Sequence, residues 1–231
     1  MDIDKEHVLN KSDRIYVIVY KNKSNTVKIR LANFKDIDQL LLICQQSFLW
    51  TLRWQAKRLL ARNWWELVLV GESAETWVVE DKGHIAAFCL LVTNEVMWNK
   101  GKRLRRGSFA AILLSALFHP IFTGCFIIRV LNGITKRIIL HVHKVEVHSY
   151  LRPKVRTWIE LIAVNPECRG LGLAGILLNH CNTRTKELGR KAIALRVSSE
   201  NTPAIKLYEK HGFLCYYSDK KGSLYAKCID D

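Results

Sequence analysis

A cluster of small residues separates a strand-like run from a helix-like run in the stretch 163–180, AVNPECRGLGLAGILLNH. Glycine weakens helices and strands, so Gly170 and Gly172 indicate a sharp connection or a close approach of the backbone to another group. A strand that turns in this way into a helix directs backbone N–H groups and the positive helix end at one point, which suits a phosphate. A tight connection that binds nothing has the same composition, so both interpretations stay open.

Strand-like and helix-like runs alternate along most of the chain, which predicts an α/β fold with helices covering a sheet. The predicted strands are 14–20, 26–32, two within 75–92 around the turn Asp81-Lys82-Gly83, 157–164, 191–197, 213–218 and 223–229. The predicted helices are 34–48, a stretch that ends at about residue 65, one that runs to about residue 188, and 202–212.

The composition of the 231 residues limits the class of protein. Apolar residues make up 49% and charged residues 25%, which is typical of a globular chain that buries one core. The seven cysteines are scattered, odd in number and without a CxxC pair, which disfavours a disulfide framework and a zinc ribbon and indicates a reducing compartment. The stretch MDIDKEHVLN has no apolar core, so no secretory signal is expected there.

The segment 94–156 interrupts the regular order and carries most of the net charge of +15. Residues 100–156 contain twelve Lys and Arg against one acid, Glu146, and residues 107–128 are uncharged. Pro120 in the middle favours two short apolar helices over one membrane span. The segment is predicted to be a cap inserted into a single domain of residues 1–231, with peripheral membrane contact through 100–137 as the alternative.

Several ligand classes are disfavoured by missing patterns. The chain has no GxxxxGK[ST] loop, and Gly170-Leu171-Gly172 is not continued with the spacing of a dinucleotide fingerprint. His141, His143 and His148 have no acid or cysteine to complete a zinc ligand set, so no metal site is predicted. The basic residues cluster with apolar ones and no nucleic-acid motif accompanies them, so nucleic acid is disfavoured as a partner.

Two motifs resemble those of the GNAT N-acetyltransferase superfamily. Residues 169–174, RGLGLA, resemble its acetyl-CoA signature R/Q-x-x-G-x-G/A, and the preceding IAVNPEC resembles its central strand and exit. About thirty residues later, SSENTPAIKLYEKHGF (198–213) resembles the next motif of the family. The resemblance covers 157–217 clearly, extends to 26–93, and is absent from 94–156. It implies a mixed, mostly antiparallel sheet flanked by helices, with strands splayed at the acetyl-CoA site.

The resemblance also implies which residues hold acetyl-CoA as the acyl donor. Amides of the signature turn would bind the pyrophosphate, and the central strand would pair with the pantetheine arm through its backbone. Asn201 matches a position that orients the cofactor, although Asn before Thr202-Pro203 is also a helix-capping pattern. The implied cofactor-binding residues are Ile162, Ala163, Val164, Arg169, Gly170, Leu171, Gly172, Leu173, Ala174, Asn201 and Tyr208.

Two residues are candidates for catalysis. Tyr208 matches the phenol that protonates the leaving thiolate in the family, and packing under the sheet is its alternative role. Glu160 lies two residues before the expected splay, where a carboxylate can accept the proton of an amine through water; a surface or ion-paired strand acid is the alternative. Strict alternation predicts that Glu160 shares a strand face with Ile162 and Val164, opposite Leu161 and Ala163.

The acceptor is the least constrained part of the reaction. Four tryptophans within 49–65 lie where the family builds its acceptor pocket, although helix packing accounts for them better: Trp50, Trp54, Trp64 and Trp65. The expected function is acetyl transfer from CoA to the primary amine of a small molecule, such as an amino sugar. Alternatives are a protein or peptide N-acetyltransferase, and a non-catalytic acyl-CoA-binding module docked on a membrane or nucleic acid. A cytoplasmic location is expected, with contact at the inner membrane face as a variant.

Overall fold

The computed structural model describes residues 8–10, 15–22, 25–48, 58–105, 152, 154–220 and 222–229. The strands within these residues are β1 Val8–Asn10, β2 Ile15–Asn22, β3 Asn25–Leu31, β4 Ala74–Asp81, β5 His84–Val92, β6 Arg156–Val164, β7 Ala192–Val197, β8 Leu214–Asp219 and β9 Gly222–Cys228. The α-helices are α1 Ile37–Ser47, α2 Arg58–Val70, α3 Glu95–Arg105, α4 Leu173–Glu187 and α5 Thr202–Lys210. Short 3-10 turns, Phe34–Asp36 and Pro166–Cys168, precede α1 and α4.

The strands form one mixed sheet in the order β1-β2-β3-β4-β5-β6-β7-β9-β8. Neighbouring strands are antiparallel except for β6 and β7, which are parallel. The pairing of β6 with β7 stops at Ile159 opposite Leu195, although β6 continues to Val164. The two strands therefore separate beyond Ile159, and the predicted fold class, a mostly antiparallel sheet with a splay, is confirmed.

A bulge lies in β6 just where it leaves β7. Leu91 of β5 pairs with Ile159 and Leu90 pairs with Leu161, so Glu160 is the extra residue of β6. An extra residue shifts the side-chain alternation of everything that follows it. Glu160 consequently lies on the side of Trp158, whose indole Nε1 donates to its carboxylate at 3.1 Å. The prediction that it shares a face with Ile162 and Val164 is wrong, because strict alternation ignores the bulge.

The sheet separates two apolar layers. On one side, α4 and α5 pack with Leu177, Leu178 and Tyr208 against a cluster that includes Ile159, Ile162 and Val164 of β6. On the other side, the core of α1 and α2 packs against a cluster that includes Trp158, Leu161 and Ala163. The splayed end of β6 therefore contacts both layers, and a molecule bound there could reach either side of the sheet.

The element order agrees with the sequence predictions over most of the described residues. The helix predicted to end at about residue 65 continues to Val70, and β1 and α3 were not predicted. Predictions for the apolar and histidine-rich parts of 106–151, and for Trp50 and Trp54, lie outside the described residues. Within the described part of the chain, no helix is both long and apolar enough to span a bilayer.

A buried ion pair fastens the start of α1 to the sheet. Arg30 of β3 donates from Nη1 to Oδ2 of Asp36 at 2.7 Å and from Nη2 to Oδ1 at 2.9 Å. The same carboxylate accepts the backbone N–H of Asn33 at 2.7 Å in a capping box. The side chain of Asp36 is only 6% exposed. Since both charges are largely removed from water, Asp36 depends on Arg30 for compensation, while Arg30 is compensated mainly by Asp36 and also by Glu80, whose Oε2 lies 2.6 Å from its Nε.

We expect Asp36→Ala to lower the free energy of unfolding by about 3 kcal/mol, because it leaves the buried Arg30 without its main partner and removes a cap. Asp38→Ala is the matched control on the same helix: its carboxylate pairs with Arg62 while 56% exposed. Exposed pairs contribute less than about 1 kcal/mol. Urea unfolding of both variants tests this, and equal losses would contradict the account.

Candidate functional site

The turn before α4 is built to present backbone N–H groups. Gly170 and Gly172 have left-handed backbones, with φ of 81° and 77°, which side chains other than glycine rarely adopt. Gly172 caps α4 without a side-chain hydrogen bond, and no acid lies in the first helical turn. The first helical bond runs from the Ile176 N–H to the Gly172 carbonyl at 3.1 Å, so the amides from Gly170 to the first turn of α4 remain available. The Arg169 N–H does not, because it donates to the Pro166 carbonyl at 3.3 Å. This geometry suits an anion.

A cavity of about 660 Å³ connects this turn with the splayed end of β6. Its lining includes Ile162, Ala163 and Val164, the turn residues Arg169, Gly170, Gly172, Leu173 and Ala174, and Asn201 and Tyr208 from the α5 region. Leu171, which is 56% exposed, and Glu160 are not in that lining. The structure thus brings together ten of the twelve residues predicted for the site.

Tyr208 lies at the inner wall of the cavity. It is 6% exposed, and its ring packs near Phe213 and Tyr225, with centroid distances of 5.9 and 6.5 Å. Burial, and next the neighbouring Cys89 thiol, raise the pKa of Tyr208 above its ordinary value of 10.0. The phenol is therefore protonated throughout the neutral pH range, which is the state that can donate a proton.

Asn201 has a capping role as well as a position in the cavity wall. Its side-chain oxygen accepts the backbone N–H of Ala204 at 3.3 Å at the start of α5. Pro203 follows in the first helical turn, where its missing N–H costs nothing. The capping alternative is therefore confirmed, and the same residue lines the cavity.

Further residues line the cavity that the sequence analysis did not assign to the site. The end of α1 contributes Ser47 and Phe48, and others come from both motifs: Cys168, Gly175, Pro203, Ala204 and Leu207. The motif residues could have been found from their positions within the two motifs or directly before Arg169. Ser47 and Phe48 could not, because they reach the cavity through a contact more than a hundred residues apart in sequence.

Two of the four tryptophans considered for an acceptor pocket are packing residues. Trp65 is fully buried, with edge-on ring contacts to Trp64 at 5.0 Å and Phe88 at 5.6 Å. Trp64 packs against the same cluster. The helix-packing interpretation is confirmed for this pair.

Comparison with known proteins agrees with the motif resemblance. The profile of the Acetyltransferase (GNAT) family matches residues 123–213. The match starts inside 94–156, so the expectation that the likeness is absent from that whole segment is wrong. An uncharacterized N-acetyltransferase, YdgE of Bacillus subtilis (strain 168), is 35% identical over 63 residues, which are 27% of this chain and 40% of that protein. The matched stretch thus spans less than half of its relative.

Solved structures share the fold at low sequence identity. The PaiA N-acetyltransferase from Thermoplasma acidophilum in complex with coenzyme A gives a TM-score of 0.55 at 12% identity, over 88% of this chain and 99% of that one. An uncharacterized Bacillus halodurans protein gives 0.56 at 14% identity, over 93% and 91%. The ribosomal-protein-S18-alanine N-acetyltransferase from Escherichia coli gives 0.50 at 18% identity, over 89% and 95%. The chain thus shares the fold of these acetyltransferases, and its residues 123–213 are similar to the Acetyltransferase (GNAT) family.

Proposed function

We propose that this chain transfers the acetyl group of acetyl-CoA to the primary amine of a small molecule, such as an amino sugar. One observation carries the proposal: a single cavity is lined by the amide-presenting turn, by the splayed end of β6 and by a buried, protonated tyrosine. These three parts supply an anion site, a backbone surface for an extended arm and a proton donor. A tight structural turn alone requires neither of the other two.

The residues present fit a CoA thioester. The turn amides and the N-terminus of α4 would hold the pyrophosphate, with the exposed Arg169 at the rim adding positive charge. Beyond Ile159, the edge of β6 that faced β7 pairs with no described strand, so its backbone can bind the amide groups of a pantetheine arm. The coenzyme A bound to the Thermoplasma acidophilum structure is consistent with this assignment.

Acetyl-CoA would supply a thioester whose acyl carbon accepts an amine and whose sulfur leaves as a thiolate. Tyr208 is the group that would protonate that sulfur, since its phenol is protonated and this residue of α5 lines the cavity. Glu160 would take the amine proton through water from the α1–α2 side of the sheet. The two groups act on opposite sides of β6, so the amine proton would be removed on one side, while the sulfur would receive the phenolic proton of Tyr208 on the other.

The acceptor remains part of the proposal. The alternative is a peptide or protein amine, and the structurally similar Escherichia coli protein is named for such a substrate. A non-catalytic acyl-CoA-binding module is a third possibility, and Tyr208 argues against it because binding alone has no use for a proton donor at that position.

We also propose that residues 94–156 form an insertion into one domain of residues 1–231 in a cytoplasmic protein. The segment connects the adjacent antiparallel strands β5 and β6. Its two ends are tied together by an ion pair between Glu95 and Arg156, with Oε2 and Nε 2.9 Å apart and side chains 15% and 10% exposed. An insertion that begins and ends at one point leaves the sheet intact on either side.

Calorimetric titration with acetyl-CoA, free CoA and NADH tests the cofactor assignment. We expect dissociation constants in the micromolar range for acetyl-CoA and CoA, because both carry the pyrophosphate and the arm, and no measurable binding of NADH. Binding of NADH with equal affinity would reduce the site to a general phosphate site. No binding of acetyl-CoA by folded protein would contradict the proposed function.

A further inference from the structure

A line of side chains along β6 connects Glu160 to α3. Arg156, Trp158 and Glu160 are alternate residues that precede or occupy the bulge, so they lie on one face of the strand. The Arg156 guanidinium carbon lies 4.9 Å from the centre of the Trp158 ring. The Trp158 Nε1 donates to Oε2 of Glu160 at 3.1 Å. Each member therefore contacts the next.

The far end of this line is fixed. Arg156 donates from Nε and Nη2 to the two carboxylate oxygens of Glu95, at 2.9 and 3.2 Å. Arg156 is 9% exposed, and the pair joins the first turn of α3 to the first residue of β6. A guanidinium held in this way offers a fixed cationic surface to the indole ring, and cation–π contacts of this kind are strongest when desolvated.

At the other end of this line, the Glu160 carboxylate must be held in a defined orientation. Glu160 is the extra residue of the bulge, so it has no place in the regular alternation that orients its neighbours. A glutamate side chain has three rotatable bonds, and a proton acceptor must be held within reach of the proton it takes. The charge-assisted bond from the indole restricts these rotations. A carboxylate can accept several hydrogen bonds at once, so this bond is compatible with a further one from a water or an amine.

We propose that Trp158 is a positioning residue, whose indole N–H holds the Glu160 carboxylate in the orientation in which it accepts the amine proton. Arg156 and Glu95 in turn keep the indole in place. This inference rests on the proposed acetyl transfer, but it assigns a role to a residue that touches neither the cofactor cavity nor the amine.

The test compares Trp158→Phe, Glu160→Gln and the double variant in the full-length protein. The amine probe is whichever of glucosamine, spermidine and an alanine-terminated hexapeptide is acetylated fastest. Trp158→Phe keeps an aromatic ring beside Arg156 and removes the N–H donor together with part of the indole ring, a loss of ring area that the control must reproduce. The control is Trp65→Phe, which removes an indole from the same apolar layer; the Trp65 Nε1 makes no hydrogen bond to the described residues.

We expect Trp158→Phe to lower kcat about tenfold and Glu160→Gln about 100-fold, with the KM for acetyl-CoA within twofold of wild type. The double variant should be no slower than Glu160→Gln, because Trp158 acts through Glu160. Trp65→Phe should lower the melting temperature and leave kcat unchanged. The positioning role would be overturned if the loss of kcat in the double variant equalled the product of the two single losses. An unaltered kcat in Trp158→Phe would overturn it as well.

A second measurement requires no turnover, and it uses Trp158→Phe only to assign a signal. The indole N–H resonance of Trp158, assigned by its loss in Trp158→Phe, should move upfield in Glu160→Gln while the Trp65 signal stays in place. An unmoved resonance would overturn the proposal even in an active enzyme. If none of the three amines is acetylated, the acceptor part of the proposed function fails, and the resonance alone decides whether Trp158 holds Glu160.

Discussion

Gly172→Trp is expected to weaken acetyl-CoA binding at least about 100-fold, equivalent to about 2.8 kcal/mol. Gly172 lines the cavity at the N-cap of α4, and its backbone has a φ of 77°. A side chain there forces the turn away from its left-handed conformation and occupies space in front of the amides. Apart from its chain neighbours, no atom of the described residues lies within 4 Å of the position that a Cβ would take, so the variant is expected to fold.

The matched control for this variant is Gly189→Trp. Gly189 also has a left-handed backbone, with φ of 61°, and a Cβ added there would likewise meet nothing within 4 Å among the described residues, but it follows the other end of α4. Both variants carry the same kind of backbone strain, so their losses of stability should be similar, while only Gly172→Trp should lose affinity in calorimetry. Unchanged affinity in Gly172→Trp would remove the turn from the binding site.

Tyr208→Phe is expected to lower kcat by about 100-fold or more, while the affinity for acetyl-CoA changes by less than about threefold. Phenylalanine preserves the packing against Phe213 and Tyr225 and removes only the hydroxyl. Because the pKa of Tyr208 is raised, its ionisation does not limit the wild-type rate at neutral or mildly alkaline pH. Steady-state kinetics with the amine probes, beside calorimetry, measures both quantities.

The control for the tyrosine is a second hydroxyl in the same cluster. Tyr225 is 5% exposed and donates to Oε1 of Glu209 at 3.1 Å, outside the cavity lining. Tyr225→Phe should therefore reduce stability slightly through the lost hydrogen bond and leave turnover intact. Equal turnover of Tyr208→Phe and wild type would exclude the phenol as the proton donor.

Local patterns predicted those parts of the molecule that local geometry determines. The period of apolar residues predicted the strands and helices, Asn201 before Pro203 predicted a cap, and Gly170 and Gly172 predicted a turn with a special backbone. Each of these depends on residues within one or two turns of chain. The two motifs then brought most of the cavity lining with them, since Arg169–Ala174 and Tyr208 belong to consecutive strand–helix units.

Features that depend on tertiary register could not be predicted in this way. The bulge at Glu160 arises from the alignment of β6 with Leu90 and Leu91 of β5, some seventy residues earlier. Helix α3 has a polar, glycine-containing sequence and is connected to β6 through the Glu95–Arg156 pair. The sequence was enough to predict that Glu160 lies in a strand. The side of the sheet on which its side chain lies could be known only from the pairing of β6 with β5.

The extra residue in β6 has a consequence for how this strand can vary. It divides β6 into two phases of alternation, so that Ile162 and Val164 stay with the α4–α5 layer while Leu161 and Ala163 stay with the α1–α2 layer. A substitution at position 160 changes a functional group and keeps both phases. Deletion of that one residue would merge them and exchange the two sets of side chains between layers. The length of β6 is thus more tightly constrained than the residue type at its bulge.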